Sequence, residues 1–245
     1  MPDDRPALTA EAFAPVTPAA HRSLVDQVMD AIVEALARGL FLPGDRVVEA
    51  EIARRLNVSR IPVREALRRL ESQSVVTSEK FRGMRVMRVD AERLEQILRV
   101  RLALEKLAGA EVIARLAAGT ARLDAMQETL AAMHAAARAG DRFAVARLDT
   151  EFHRRLCLLS GNDVLLNSWE PLSRQMTIIF GIAAQHKPLR GVAAEHDAVV
   201  TALAARDLAR FERTIEAHIL AQNRALDFEA MVGQLRRTDA RAVAP

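Results

Sequence analysis

The stretch Asn57 to Ser72, NVSRIPVREALRRLES, admits few backbones. Val63, Ala66, Leu67 and Leu70 recur at i, i+3, i+4 and i+7, which sets them on one stripe of a helix. Arg60, Arg64 and Arg68 recur at i, i+4 and i+8, so a row of guanidinium groups runs along another face of the same helix. One face must be buried against neighbours in the chain, and the other must be solvated or meet an acidic partner.

The flanking residues say what buries it. Ser23 to Arg38 reads as a helix with Leu24, Val25, Val28, Ile32, Val33 and Leu36 inward, ended by Gly39, Pro43 and Gly44. Glu49 to Leu56 is a short second helix. Asn57 stands where a tight helix–helix turn needs a left-handed residue, which asparagine tolerates. Ser59 suits the N-cap of the third helix, and Pro62 lies in its first turn, where a missing N–H costs nothing. After Ser72 the period shortens: VVTSE and MRVMRV read as two strands joined through KFRG, with Gly83 at the turn. Three helices and a hairpin over 21–89 predict a winged helix-turn-helix.

From Asp90 on there is no strand signal. Apolar periodicity predicts about six helices, near 90–117, 120–138, 141–159, 162–185, 189–205 and 207–236. Each has one stripe to hide, so 90–236 should pack as an all-helical bundle. The fold class is mainly α, as expected for a chain with scarce aromatics and no tyrosine. Residues 1–20, broken by four prolines and lacking the basic start and apolar run of a signal peptide, are expected to be a mobile arm, and 237–245 a tail. The single cysteine, Cys157, forbids a disulfide within the chain, and no apolar run approaches the roughly 20 residues of a bilayer span, so a cytoplasmic location without membrane contact is expected.

The formal net charge is only +3, so any affinity for polyanions must be local. Between Arg22 and Val89 there are thirteen Lys/Arg against nine Asp/Glu, clustered on the third helix. In a helix-turn-helix that helix lies in the DNA major groove with its first turns at base edges. An arginine there can bond bidentately to O6 and N7 of guanine. Ser59, Arg60 and Arg64 occupy those turns, while Arg82 and Gly83 would form the wing. Arginines alone are usually just a solvated face, here beside Glu65 and Glu71; the turn, cap and hairpin favour double-stranded DNA.

A second constellation lies in the bundle. Asp149 and His153 share a helix face at i, i+4, and His196 and His218 fall on separate predicted helices. One carboxylate and three imidazoles would suit a borderline divalent ion such as zinc, nickel, manganese or iron. Periodicity cannot bring three helices together, and widely spaced histidines are usually surface or satisfied residues.

The segment PGDRVVEAEIARRLNVSRIPVREALRRLE resembles the winged helix of the GntR family of bacterial transcription regulators, and 90–236 resembles the FCD effector domain of its FadR group. The family pattern Asp-x-x-x-His, His, His matches Asp149, His153, His196 and His218, and SGN at 160–162 and RLALE at 101–105 also match. The six-helix count is closer to the VanR-type subgroup. This resemblance implies DNA contacts by Ser59, Arg60, Ile61 and Arg64 with Arg82 and Gly83 on the wing, a metal on the Asp/His set, and Arg101 in an effector cavity. Arg101 could instead form a surface ion pair with Glu105. Ala50, Ile61 and Gln73-Ser74 depart from the family pattern, which bears on operator choice.

The expectation is a ligand-responsive regulator, a repressor by family habit: a homodimer that binds a palindromic operator and senses a small carboxylate through a divalent metal, zinc first. Two other readings remain: a helical metalloenzyme with an appended DNA-binding domain, and a regulator whose effector domain only dimerises.

Overall fold

The computed structural model describes residues 23–79, 83–221, 223 and 226–242. The expected N-terminal arm and Arg82 lie outside the described residues. The chain forms two compact units that meet at Arg88 and Val89.

The first unit follows the predicted order, with one addition. Helix α1 (Leu24–Ala37) is capped by Ser23, whose side chain accepts from the Asp26 N–H. Helix α2 (Glu49–Leu56) ends on Asn57 at φ 53°, ψ 45°, the left-handed joint that the turn requires. Helix α3 (Arg60–Ser72) follows at once. Ser59 holds its N-cap position, but its hydroxyl makes no capping bond among the described residues. Val63, Ala66, Leu67 and Leu70 of α3 are buried, as are Val28, Met29, Ile32 and Leu36 of α1. Burying each of the larger side chains contributes about 1.5–3 kcal/mol, and this shared stripe fixes the angle at which α3 is presented.

The sheet has three strands, one more than the hairpin predicted. Arg46–Val47 forms a two-residue strand β1, followed by β2 (Val76–Glu79) and β3 (Gly83–Val86), in the order β1-β3-β2. All pairings are antiparallel, with Arg46 opposite Arg85 and Glu79 opposite Gly83. Two residues are too few to display an alternation, so β1 was not legible.

The second unit is helical: α4 (Ala91–Ala117), α5 (Asp124–Ala139), α6 (Arg142–Leu159), α7 (Asp163–Ala183), α8 (Leu189–Ala204) and α9 (Leu208–Glu216). These six are the predicted bundle. The last predicted helix, 207–236, is not continuous. After α9 the backbone winds through a π-turn, Ala217–Ala221, and helix α10 starts afresh at Phe228 and runs to Ala242, through most of the expected tail. The apolar stripe passes across the break (Phe211, Ile215, Ile219 and Phe228 are all buried), and so periodicity conceals it.

Two features position the site helices. Asn162 of the SGN motif caps α7 by accepting from the Leu165 N–H, and its amide donates to Glu111 of α4. Gly109 of α4 lets Phe211 of α9 approach so closely that a Cβ there would lie 1.9 Å from the ring. Gly109→Ala should therefore destabilise this unit by about 1–3 kcal/mol, the cost of overpacking, visible as a lower melting temperature.

Candidate metal centre and recognition helix

Three elements bring the Asp/His set together. Asp149 and His153 sit one turn apart on α6, His196 comes from α8, and His218 from the π-turn. All four are buried, and one ligand atom from each lies within 4.8 Å of all the others. The ring pairs are close, with His153 Nε2 3.0 Å from His218 Nε2 and His196 Nε2 3.2 Å from Asp149 Oδ1.

The proton positions follow from the outer partners. His153 Nδ1 donates to Glu105 Oε2 at 2.6 Å, and His196 Nδ1 donates to the Val192 carbonyl at 2.8 Å. Each bond leaves Nε2 as a bare lone pair facing the cluster, the arrangement by which outer-shell acceptors aim metal-ligating imidazoles. Asp149 Oδ2 and His196 Nε2 are buried with no hydrogen-bond partner among the described residues. Orphaned acceptors in a dry interior are costly unless something satisfies them. A divalent cation does so, and the donor set of one carboxylate and three imidazoles fits a borderline ion.

The charges point the same way. Burial pushes the pKa of His153 and His218 down, with Arg101 adding to the effect at His153 and the neighbouring imidazoles at His218, so both are neutral ligands near pH 7. Burial alone would raise Asp149, yet its carboxyl is held well below its usual range, as an anion, with the positive charge of Arg101 among the causes.

Arg101 and Glu105 do pair, but in the interior. Arg101 is 1% exposed and its Nε lies 2.6 Å from Glu105 Oε1. Glu105 is a hub: besides Arg101 it accepts from His153 and from Trp169 Nε1 of α7, at 3.1 Å. Burial works against its charge, yet Arg101 and His153 bring its pKa down to about 2. The surface-pair reading of Arg101 is thereby corrected. Its Nη2 is buried and has no hydrogen-bond partner among the described residues.

Beside the cluster lies a small cavity of about 30 Å³. Its walls are apolar at Val145, Phe180 and Val192, and its polar lining is Asp149, His218, Lys187, Glu195 and Asn223. Arg101 does not line it. Sequence reading missed Lys187, Glu195 and Asn223 as site residues; the only hints were the Lys187-Pro188 break and the Glu195-His196 pair. Cys157 is buried and its thiol is pushed up by burial, consistent with a core residue.

In the first unit Ser59, Arg60, Ile61, Arg64 and Arg68 are all exposed on α3. Ile61 is 78% exposed, unusual for so large an apolar side chain. The Arg64 fork is turned to Glu49 on α2, with Nη2 3.0 Å from Oε2 and Nε 3.2 Å from Oε1. Gly83 opens β3 at φ +78°, a turn conformation that other residues rarely adopt, with the Arg46 guanidinium against it. Arg46, on the unforeseen β1, extends the basic surface of the wing.

Comparison with known proteins gives concordant matches. The FCD domain model matches residues 96–221, and the model for bacterial regulatory proteins of the gntR family matches 24–86. The probable D-xylose utilization operon transcriptional repressor of Paenarthrobacter nicotinovorans is 34% identical over 201 residues, 81% of this chain and 87% of that one. The HTH-type transcriptional regulator McbR of Escherichia coli K12 is 30% identical over 152 residues, 62% of this chain and 68% of that one. The solved structure of E. coli McbR/YncC superposes with a TM-score of 0.70 at 27% identity, over 88% of this chain and 99% of that one. A crystal structure of a GntR regulator from Rhodococcus sp. RHA1 shares the fold, with a TM-score of 0.64 at 23% identity over 88% and 99% of the two chains.

Proposed function

This chain belongs to the gntR family of bacterial regulatory proteins and carries an FCD domain, and on that premise we propose that it is a metal-loaded, acid-responsive repressor acting as a homodimer. Its relatives and both matched domains are those of DNA-binding transcription regulators, so the metalloenzyme reading is set aside. The four buried donor atoms within 4.8 Å carry the reading, because a domain that only dimerises has no need of them.

In this proposal Asp149, His153, His196 and His218 hold one divalent ion, zinc by preference, which supplies a Lewis-acidic face for an effector oxygen. Glu105 and the Val192 carbonyl orient two of the imidazoles. Arg101 holds positive charge close enough to lower the pKa of His153 and Asp149. The effector is a small carboxylate entering the cavity beside the cluster. Among the described residues no helix is long and apolar enough to cross a membrane, and a cytoplasmic site of action fits a DNA partner. A relative named as a repressor supports that direction of control.

At the operator, Ser59, Arg60, Ile61 and Arg64 read the major groove, and Arg82 and Gly83 meet the backbone or minor groove. Exposed Ile61 suits a thymine methyl. Arg64 must exchange Glu49 for a base, which an exposed pair permits cheaply. One recognition helix reads too few base pairs for useful specificity, so two-fold symmetry and a palindromic site follow. Selection from random duplexes should return a palindrome whose affinity falls steeply with salt. Arg60→Ala or Arg64→Ala should weaken it roughly 5- to 100-fold. Unchanged specificity in both variants would remove α3 from the groove.

A further inference from the structure

The row of arginines along α3 is not uniform. Arg64, in its middle, is held by an acid from the neighbouring helix, whereas Arg60 and Arg68, one turn to either side, have no ion pair among the described residues. The acid is Glu49, the first residue of α2. Its near neighbour Glu51 turns along its own helix to Arg55, at 2.7 Å, but Glu49 crosses to α3. Arg64 Nε donates to both Glu49 oxygens at 3.2 Å, and Nη2 donates to Oε2 at 3.0 Å. The carboxylate therefore lies along the side of the guanidinium, and Nη1, at its tip, has no partner among the described residues. Stability does not account for this contact, because both side chains are partly exposed and such a pair adds little. An acid beside the reading face also repels phosphate, so it lowers affinity for every duplex, whatever its sequence. A contact with those two properties makes sense if it improves the choice between sequences.

We propose that Glu49 is a positioning residue for sequence reading: it stays bonded to Arg64 Nε on the operator and holds the tip of the fork toward one guanine in each half-site. This rests on the recognition-helix reading above, and it makes the exchange at Arg64 a partial one, with Nη2 released to the base and Nε kept. A guanidinium has five N–H groups in a fixed plane. Those at its tip, from Nη1 and Nη2, can reach O6 and N7 of guanine together, while Nε points to the side and is not needed there. Anchoring Nε leaves the fork few orientations, so less side-chain freedom is lost when guanine is bound. An untethered arginine swings as readily to a phosphate, which carries no sequence information. Glu49 opposes that swing twice, by its bond to Nε and by its repulsion of the phosphates.

The test is selection from randomised duplexes by the full chain, followed by titrations on the selected palindrome and on a shuffled duplex of the same length. Arg64→Ala identifies the base pair that Arg64 reads, as the position whose guanine preference is lost. Glu49→Ala should reduce the guanine preference at that same position roughly fivefold or more, and at no other position. It should also bind the shuffled duplex more tightly than wild type does. Glu49→Gln removes the same charge but keeps an oxygen that accepts from Nε, so it should retain most of the guanine preference. In an Arg64→Ala background, Glu49→Ala should change no base preference. An unchanged guanine preference in Glu49→Ala overturns the proposal. So does an equal loss in Glu49→Ala and Glu49→Gln, because the effect would then be one of charge alone. A loss spread over all positions, with a lower melting temperature, also overturns it, because Glu49 would then be supporting the fold of the unit. Failure of the recognition-helix reading looks different: Arg64→Ala would keep every base preference of the wild type, and the role of Glu49 would fall with it.

Discussion

Glu105→Met should cost the helical unit about 3–5 kcal/mol, the largest loss expected of a single substitution here. The carboxylate is fully buried and receives three donors, from Arg101 on its own helix, His153 on α6 and Trp169 on α7. Removing it strands a guanidinium at 1% exposure without its ion-pair partner and frees His153 to rotate. For a unit of this size the melting temperature should drop by roughly 10 °C. A double variant, Arg101→Met with Glu105→Met, should recover part of that loss, because no unpaired charge remains in the interior. A double variant as unstable as the single would show that the value of Glu105 lies in holding His153 and Trp169.

Zinc should stabilise the wild type by about 4 kcal/mol at a thousandfold excess over its dissociation constant, and an EDTA-treated sample should lose that increment. His153→Ala and His196→Ala should hold less metal by elemental analysis and show little of the zinc-dependent rise in melting temperature. Metal content unchanged in both would exclude this ligand set. Acid sharpens the test. Burial holds His153 and His218 below the ordinary imidazole value of 6.5, so protons compete for these ligands only at lower pH, and zinc should be retained as the pH passes below 6.5. The metal-free protein should behave oppositely: below 6.5 its unfolded chain takes up protons that the folded one refuses, so stability falls with pH.

Much of the first unit was legible because local periodicity and local turn chemistry specify it. The α3 stripe, Asn57 at the left-handed joint and Gly83 at the hairpin each act within a few residues. Gln73-Ser74 shows the limit: Ser74 takes φ 56° without being glycine, at the end of α3 where the Ser74 and Val75 N–H groups bond the Glu71 and Leu70 carbonyls, a helix ending that glycine usually marks. In the bundle the helices were readable, whereas their convergence was not. Spacing paired Asp149 with His153 and Arg101 with Glu105, but whether such a pair faces water or the interior depends on helices distant in sequence. Glu105 became a hub only because α6 and α7 pack against α4. Lys187 and Asn223 sit in connections, where no repeat marks a side chain as inward. The 207–236 stretch misled for the opposite reason, as a true apolar repeat ran across a break.

That break bears on how this chain can change length. A π-turn is one residue of surplus absorbed within a helix, and each residue added or removed rotates the downstream turns by about 100°. His218 lies inside the turn, so the angle at which it reaches Asp149, His153 and His196 depends on that surplus being kept. A one-residue deletion between Ile215 and His218 would swing the imidazole away from its partners while leaving every ligand in the sequence. Insertions after Asn223, between the turn and Phe228, would leave that angle alone. Length variants of such a domain should therefore differ in metal retention according to which side of His218 the change falls, even where their composition is the same.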